Sequence, residues 1–125
     1  MTPTTWVAFL VAAGLGAPAR YLVDAWVRAR AGHESPWGTF VVNVTGCLVL
    51  GLLTGLGLYH GLGAPTRLAV GTGGLGAYTT FSTFTFETVR LYEEGRARAA
   101  VANVAGSILL GLLAAAAGLA VMAAW

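Results

Sequence analysis

Four long apolar stretches, separated by short charged or turn-rich segments, constrain this chain more than any other feature. They run from about Thr5 to Val27, Trp37 to Tyr59, Arg67 to Tyr92 and Arg98 to Trp125. About 20 residues at 1.5 Å rise already cross the hydrocarbon layer of a bilayer, and each stretch is longer than that. The breaks between them are of the expected kind: Ala31-Gly32-His33-Glu34-Ser35-Pro36, Gly61-Leu62-Gly63-Ala64-Pro65-Thr66 and Glu93-Glu94-Gly95-Arg96. In lipid every backbone polar group needs an internal partner, which leaves helices or a closed barrel. The runs show no apolar–polar alternation, so they are helices. Only 10% of the residues are charged, against about a quarter in a soluble domain. That is too little polar surface to cover a soluble fold of 125 residues, so a soluble enzyme is excluded. A net charge of +2 is no basic patch for nucleic acid. The single cysteine, Cys47, excludes an internal disulfide and a multi-cysteine metal site. Arg20 and Asp24 inside the first stretch, with no basic start, argue against a cleaved signal peptide. Residues 1–125 are expected to form one four-helix transmembrane domain, an all-α membrane protein.

Trp37, Tyr59, Tyr92 and Trp125 stand at stretch ends, where amphipathic rings prefer the headgroup level. If four helices alternate, the first and third loops share a side. That side carries Arg28, Arg30, Arg96 and Arg98, and the other carries only Arg67 besides the N-terminus. Positive charge favours the cytoplasm, so both termini are expected outside, with loops 28–36 and 93–98 inside, in the plasma membrane.

Polar residues at bilayer depth are expensive and mark function or helix pairing. Arg20 either pairs with Asp24 one turn on or snorkels to the interface. Asn43 lies too deep to snorkel, and its amide has two donors for a helix partner or a dehydrated anion. Glu87 has Thr83 a turn before it and Arg90 at i+3. The third stretch holds Gly71-Thr72-Gly73-Gly74-Leu75-Gly76-Ala77-Tyr78-Thr79-Thr80-Phe81-Ser82-Thr83-Phe84. Four glycines in six positions followed by β-branched polar residues make a poor continuous helix, so the third helix is expected to break near its middle. A broken span frees carbonyl and N–H groups at the midplane, a device for building ion sites. After the break Phe81 and Phe84 share a face, with Ser82, Thr83 and Glu87 on neighbouring ones. No lysine follows the glycines, which excludes a nucleotide-binding loop. Gly51 and Gly55, and the stripe Asn103, Ser107 and Gly111, suit close helix packing. Four short helices do not enclose a wide aqueous path alone, so a transport protein of this size is expected to be an oligomer.

At these residues the chain closely resembles the Fluc (CrcB-type) fluoride channels. The likeness covers essentially the whole chain: Gly16-Ala17-Pro18-Ala19-Arg20 in the first span, Val42-Asn43 with Gly46 in the second, and Gly76 with Thr79-Thr80-Phe81-Ser82-Thr83-Phe84 in the third. Asn103 and Ser107 resemble the family's polar positions in the fourth. One departure is Gly76-Ala77 where the family usually has two adjacent glycines, an extra methyl expected to tighten the break. The resemblance implies an antiparallel, dual-topology dimer with two pores and a structural Na⁺ held by main-chain carbonyls of Gly76 and Thr79. It implies a fluoride path along Asn43, Phe81 and Phe84, with Ser82, Thr83, Glu87, Asn103 and Ser107 as a polar track. Arg20 is placed toward the vestibule as an anion-attracting or structural charge. The four-to-one arginine bias also suggests that the dimer partner is either a second copy or a homologous chain of opposite orientation. Two rivals remain at this stage: a proton-coupled small multidrug transporter, which needs an exchangeable carboxyl at depth in the first span, and a membrane-assembly subunit.

Overall fold

A computed structural model describes residues 2–125, and among them the chain is helical with no strand. Helix α1 spans Pro3–Ala31 and α2 spans Trp37–Tyr59. A short α3, Ala64–Arg67, leads into a wide-turned π-helical segment, Leu68–Leu75, and then α4, Gly76–Tyr78. Two extended residues, Thr79 and Thr80, separate α4 from α5, Phe81–Glu93, and α6 spans Ala97–Ala124. Helices α1, α2 and α6 are each long and apolar enough to cross a membrane. The third expected span is the interrupted one.

The loop contacts divide the ends as expected of four alternating passes. Arg90 donates to the Glu34 carbonyl, which ties the first loop to the third. At the opposite end the His60 imidazole bonds to the Met122 carbonyl at 2.8 Å, and its ring lies 5.4 Å from that of Trp125. The second loop and the C-terminus therefore share a face.

Packing rests on glycine rather than on large buried side chains. Leu10, Val11, Leu15, Leu109, Leu112 and Leu113 all point away from the protomer. That arrangement suits lipid, where association depends on close backbone approach. At the α2–α6 seam a Cβ on Gly51 would lie 2.1 Å from the Ala115 carbonyl oxygen, and one on Gly118 would lie 2.4 Å from that of Leu48. Helix α1 meets the π segment in the same way, a Cβ on Gly16 falling 2.2 Å from the Gly74 carbonyl oxygen.

The glycine-rich stretch is not itself the break. Gly71, Gly73 and Gly74 lie within the π-helical turns, where Gly76 N–H reaches back to the Gly71 carbonyl, and the interruption falls later, at Thr79–Thr80. Ala77 is helical, and its methyl faces Gly16, whose missing side chain leaves the room for it. The departure from paired glycines is thus accommodated by α1.

Gly51→Ala is expected to destabilise the protein by about 1–3 kcal/mol, because backbone stands where the methyl must go. Gly106→Ala, whose new carbon would meet only Phe40 at 3.8 Å, should be neutral or stabilising by up to about 1 kcal/mol. Thermal unfolding of both variants in detergent, followed by circular dichroism, checks the contrast.

Candidate functional site

The site is organised by the backbone at Thr79 and Thr80. Both residues are extended, with ψ of 162° and 125°, and a helix interrupted at this depth has no water to satisfy its freed groups. Asn43 on α2 supplies the missing partner. Its Nδ2 donates to the Thr80 carbonyl at 2.9 Å, and its Oδ1 accepts from Thr80 N–H at 2.9 Å. The side-chain amide thus pairs with the peptide as a neighbouring strand would. Thr80 also caps α5, its hydroxyl accepting from Thr83 N–H at 3.2 Å. Tyr78 is fixed through Thr45, 2.9 Å from its hydroxyl, while the Thr45 proton goes to the Val41 carbonyl.

These bonds release two carbonyls. In an unbroken helix Thr80 N–H would close on the Gly76 carbonyl and Thr83 N–H on that of Thr79. Here the first donates to Asn43 and the second to the Thr80 hydroxyl. Freed carbonyl oxygens are hard, neutral ligands suited to an alkali cation, so Gly76 and Thr79 fit the Na⁺ that the family resemblance implies. Among the described residues no cluster of three His, Cys, Asp or Glu side chains offers an alternative metal site. Arg20 lies at the break, its Nη1 donating to the Thr79 carbonyl at 3.2 Å.

On one side of the break a cavity of about 450 Å³ gathers Asn43, Gly76, Thr79, Phe81, Phe84 and Ser107. The Phe81 and Phe84 ring centroids are 5.9 Å apart. Phe81 is 77% exposed, so its ring projects beyond the protomer. The Ser107 hydroxyl is buried without a hydrogen-bond partner. A second cleft, of about 240 Å³, holds Arg20, Asp24, Thr39, Thr80 and Thr83. Asn103 lines a third cavity, of about 410 Å³, with Phe40 and Leu91. Its Nδ2 donates to the Thr88 hydroxyl at 2.9 Å, which in turn donates to the Phe84 carbonyl at 2.8 Å. Ser82 is exposed beside the Thr80 hydroxyl.

Glu87 stands apart from this cavity. It is 3% exposed and pairs with Arg28 of α1, while Thr39 of α2 donates to its Oε1 at 3.0 Å. Arg28 Nε also binds both oxygens of Asp24 at 2.9 Å. Asp24 is therefore the partner of Arg28, not of Arg20, and Glu87 meets Arg28 rather than Arg90. The Asp24–Arg28 spacing of i,i+4 was a legible helix pair. Nothing in the sequence linked Arg28 or Thr39 to Glu87, nor Thr88 to Asn103.

The family model described as CrcB-like protein, Camphor Resistance (CrcB), matches residues 7–119. The chain belongs to this family. A relative from Streptomyces avermitilis, named fluoride-specific ion channel FluC 1, is 50% identical over 114 residues, covering 90% of this chain and 91% of the relative. One of the same name from Leifsonia xyli subsp. xyli is 48% identical over 119 residues, covering 95% and 87%. One from Symbiobacterium thermophilum is 50% identical over 118 residues, covering 93% and 95%. The Asn43–Thr80 pairing thus sits inside the matched segment of a CrcB-family chain.

Asn43→Ala leaves the Thr80 N–H and carbonyl unpaired and is expected to cost about 2–5 kcal/mol. Asn43→Asp keeps the acceptor for Thr80 N–H but sets a carboxylate against the Thr80 carbonyl, and should be destabilising as well. Faster amide exchange at Thr80, measured by hydrogen–deuterium exchange in detergent, checks that the loss is at the break.

Proposed function

We propose that this chain is a fluoride-selective channel that lets fluoride leave the cytoplasm passively. The observation that carries the reading is the cavity in which two phenyl rings, the Asn43 amide and the unpartnered Ser107 hydroxyl converge, in a chain of the CrcB family. Fluoride is small and strongly hydrated, so a path must replace lost water with donors. Asn43 spends one Nδ2 proton on Thr80 and keeps the other. The Ser107 proton is free, and phenyl edges carry partial positive charge. Ser82, Thr83 and Asn103 extend the polar track toward the end that holds the first and third loops. Glu87 contributes by anchoring α5 to α1 and α2. Hydrogen fluoride crosses bilayers neutral and ionises inside. A negative-inside potential then drives the anion out by about 2.3 kcal/mol per 100 mV without ATP.

The working unit in this reading is an antiparallel dimer. Phe81, projecting past its own protomer, completes the path against the partner, and the Gly76 and Thr79 carbonyls of both subunits hold a structural Na⁺. Arg28, Arg30, Arg90, Arg96 and Arg98 lie toward one end of the protomer and Arg67 toward the other. That end is cytoplasmic by the positive-charge rule, with both termini outside. So strong a bias favours a partner chain of opposite orientation over a second copy. The transporter alternative lacks its free carboxyl, since Asp24 is bound through both oxygens to Arg28.

Liposomes carrying the protein, loaded with fluoride, are expected to release it without a proton gradient and to retain chloride. Phe81→Ile and Phe84→Ile should each cut the flux roughly tenfold, the loss of a ring contact of about 1–1.5 kcal/mol, with the dimer still eluting intact. Wild-type flux in both variants would reject the assignment of the path. Full efflux from this chain purified alone would reject the need for a second chain.

A further inference from the structure

We propose that Arg20 is the charge filter of the cation site at the break: its guanidinium lets the Thr79 carbonyl hold a monovalent ion and turns away a divalent ion of the same size. The inference rests on the sodium reading above and adds to it the residue that sets which ion is accepted.

Arg20 differs in its surroundings from the other charged groups at depth. Its Nη1 donates to the Thr79 carbonyl, one of the oxygens released by the break, so guanidinium and bound ion share a ligand atom. No acid lies within ion-pair distance of it. Asp24, one turn away on α1, has both oxygens on Arg28 Nε, and Glu87 is held by Arg28 and Thr39. Among the described residues Arg20 makes no ion pair; the cleft it lines also holds Asp24, whose carboxylate is turned to Arg28, and the neutral Thr39, Thr80 and Thr83. An arginine does not give up its proton in a protein, so the charge is permanent.

Sites that hold calcium usually supply carboxylates, whose negative charge offsets that of the ion. Here the freed ligands are neutral carbonyls and the nearest full charge is positive. Repulsion between a fixed charge and a bound ion scales with the charge of the ion. At an effective dielectric of about 20 and a separation of about 6 Å, the second unit of charge weakens binding on the order of 100-fold. Na⁺ and Ca²⁺ have nearly the same radius and both prefer oxygen, so they differ at this site chiefly in charge. Arg20 therefore acts as a positioning and specificity residue: one hydrogen bond aims the Thr79 carbonyl, and the charge behind it selects.

The test uses the full-length protein in detergent, together with its partner chain where one is needed, dialysed into a choline salt free of metal. The unfolding midpoint is followed against NaCl and CaCl₂ at matched ionic strength for wild type, Arg20→Lys and Arg20→Gln. Wild type and Arg20→Lys should be stabilised by Na⁺ and not by Ca²⁺. Arg20→Gln, which keeps a donor for Thr79 without the charge, should respond to Ca²⁺ at concentrations at least tenfold lower than wild type. Arg20→Gln stabilised by Na⁺ but indifferent to Ca²⁺ would overturn the proposal while leaving the sodium site in place. So would wild type or Arg20→Lys gaining as much from Ca²⁺ as from Na⁺, an arm that reads out even where Arg20→Gln does not fold. A wild type unmoved by either cation would remove the sodium reading and this proposal with it.

Discussion

A peptide group at bilayer depth must find a hydrogen-bond partner within the protein, and the bonds that Asn43 makes to Thr80 meet that demand. The rest of the site depends on them. With Thr80 paired to a side chain, its helix can stop, turn extended for two residues and start again under a fresh cap. The interruption then does two things at once. It starts α5 afresh, so that the Phe81 and Phe84 rings line one cavity, and it leaves the Gly76 and Thr79 carbonyls without their helical donors. One amide side chain thus links the cavity lined by the two phenyl rings to the carbonyls freed at the break.

Charge inside the protomer is arranged around the same break. Arg28 gathers Asp24 and the buried Glu87 into one part-buried cluster that joins α1, α2 and α5. The acids are thereby removed from the cavity that holds Asn43 and the phenyl rings, where carboxylates would repel an anion. Arg20 makes no ion pair at the break and is directed at a carbonyl rather than at a counter-ion. Ion pairing near one end and an unpaired charge at the break follow from a single distribution of partners.

Much of the site was legible in the sequence. The glycine run and the Thr-Thr-Phe-Ser-Thr-Phe stretch announced a helix that cannot stay regular, and the Phe81–Phe84 spacing placed both rings on one face. The point of interruption was less visible, because Gly71–Gly74 adopt wide helical turns and the backbone gives way only at Thr79. What decided that position was Asn43, 37 residues away in sequence. Glu87 was the harder case. Its place on the polar track was what the family resemblance implied, and its partners Arg28 and Thr39 come from two other helices. Side-chain periodicity reports which face a residue occupies, not which helix covers that face.

The sequence by itself determined the class of molecule, the four apolar stretches, the irregular third one and the arginine asymmetry between the two ends. Each of these depends on local composition or on spacing within one helix, and the bilayer enforces them on any chain of this hydropathy. Only the tertiary structure decided which polar groups satisfy one another between helices: Asn43 with Thr80, Arg28 with Glu87, Arg20 with the Thr79 carbonyl, Asn103 with Thr88. Those pairings join residues distant in the chain through bonds of about 3 Å, and they exist only because glycines let the helices approach closely enough to make them.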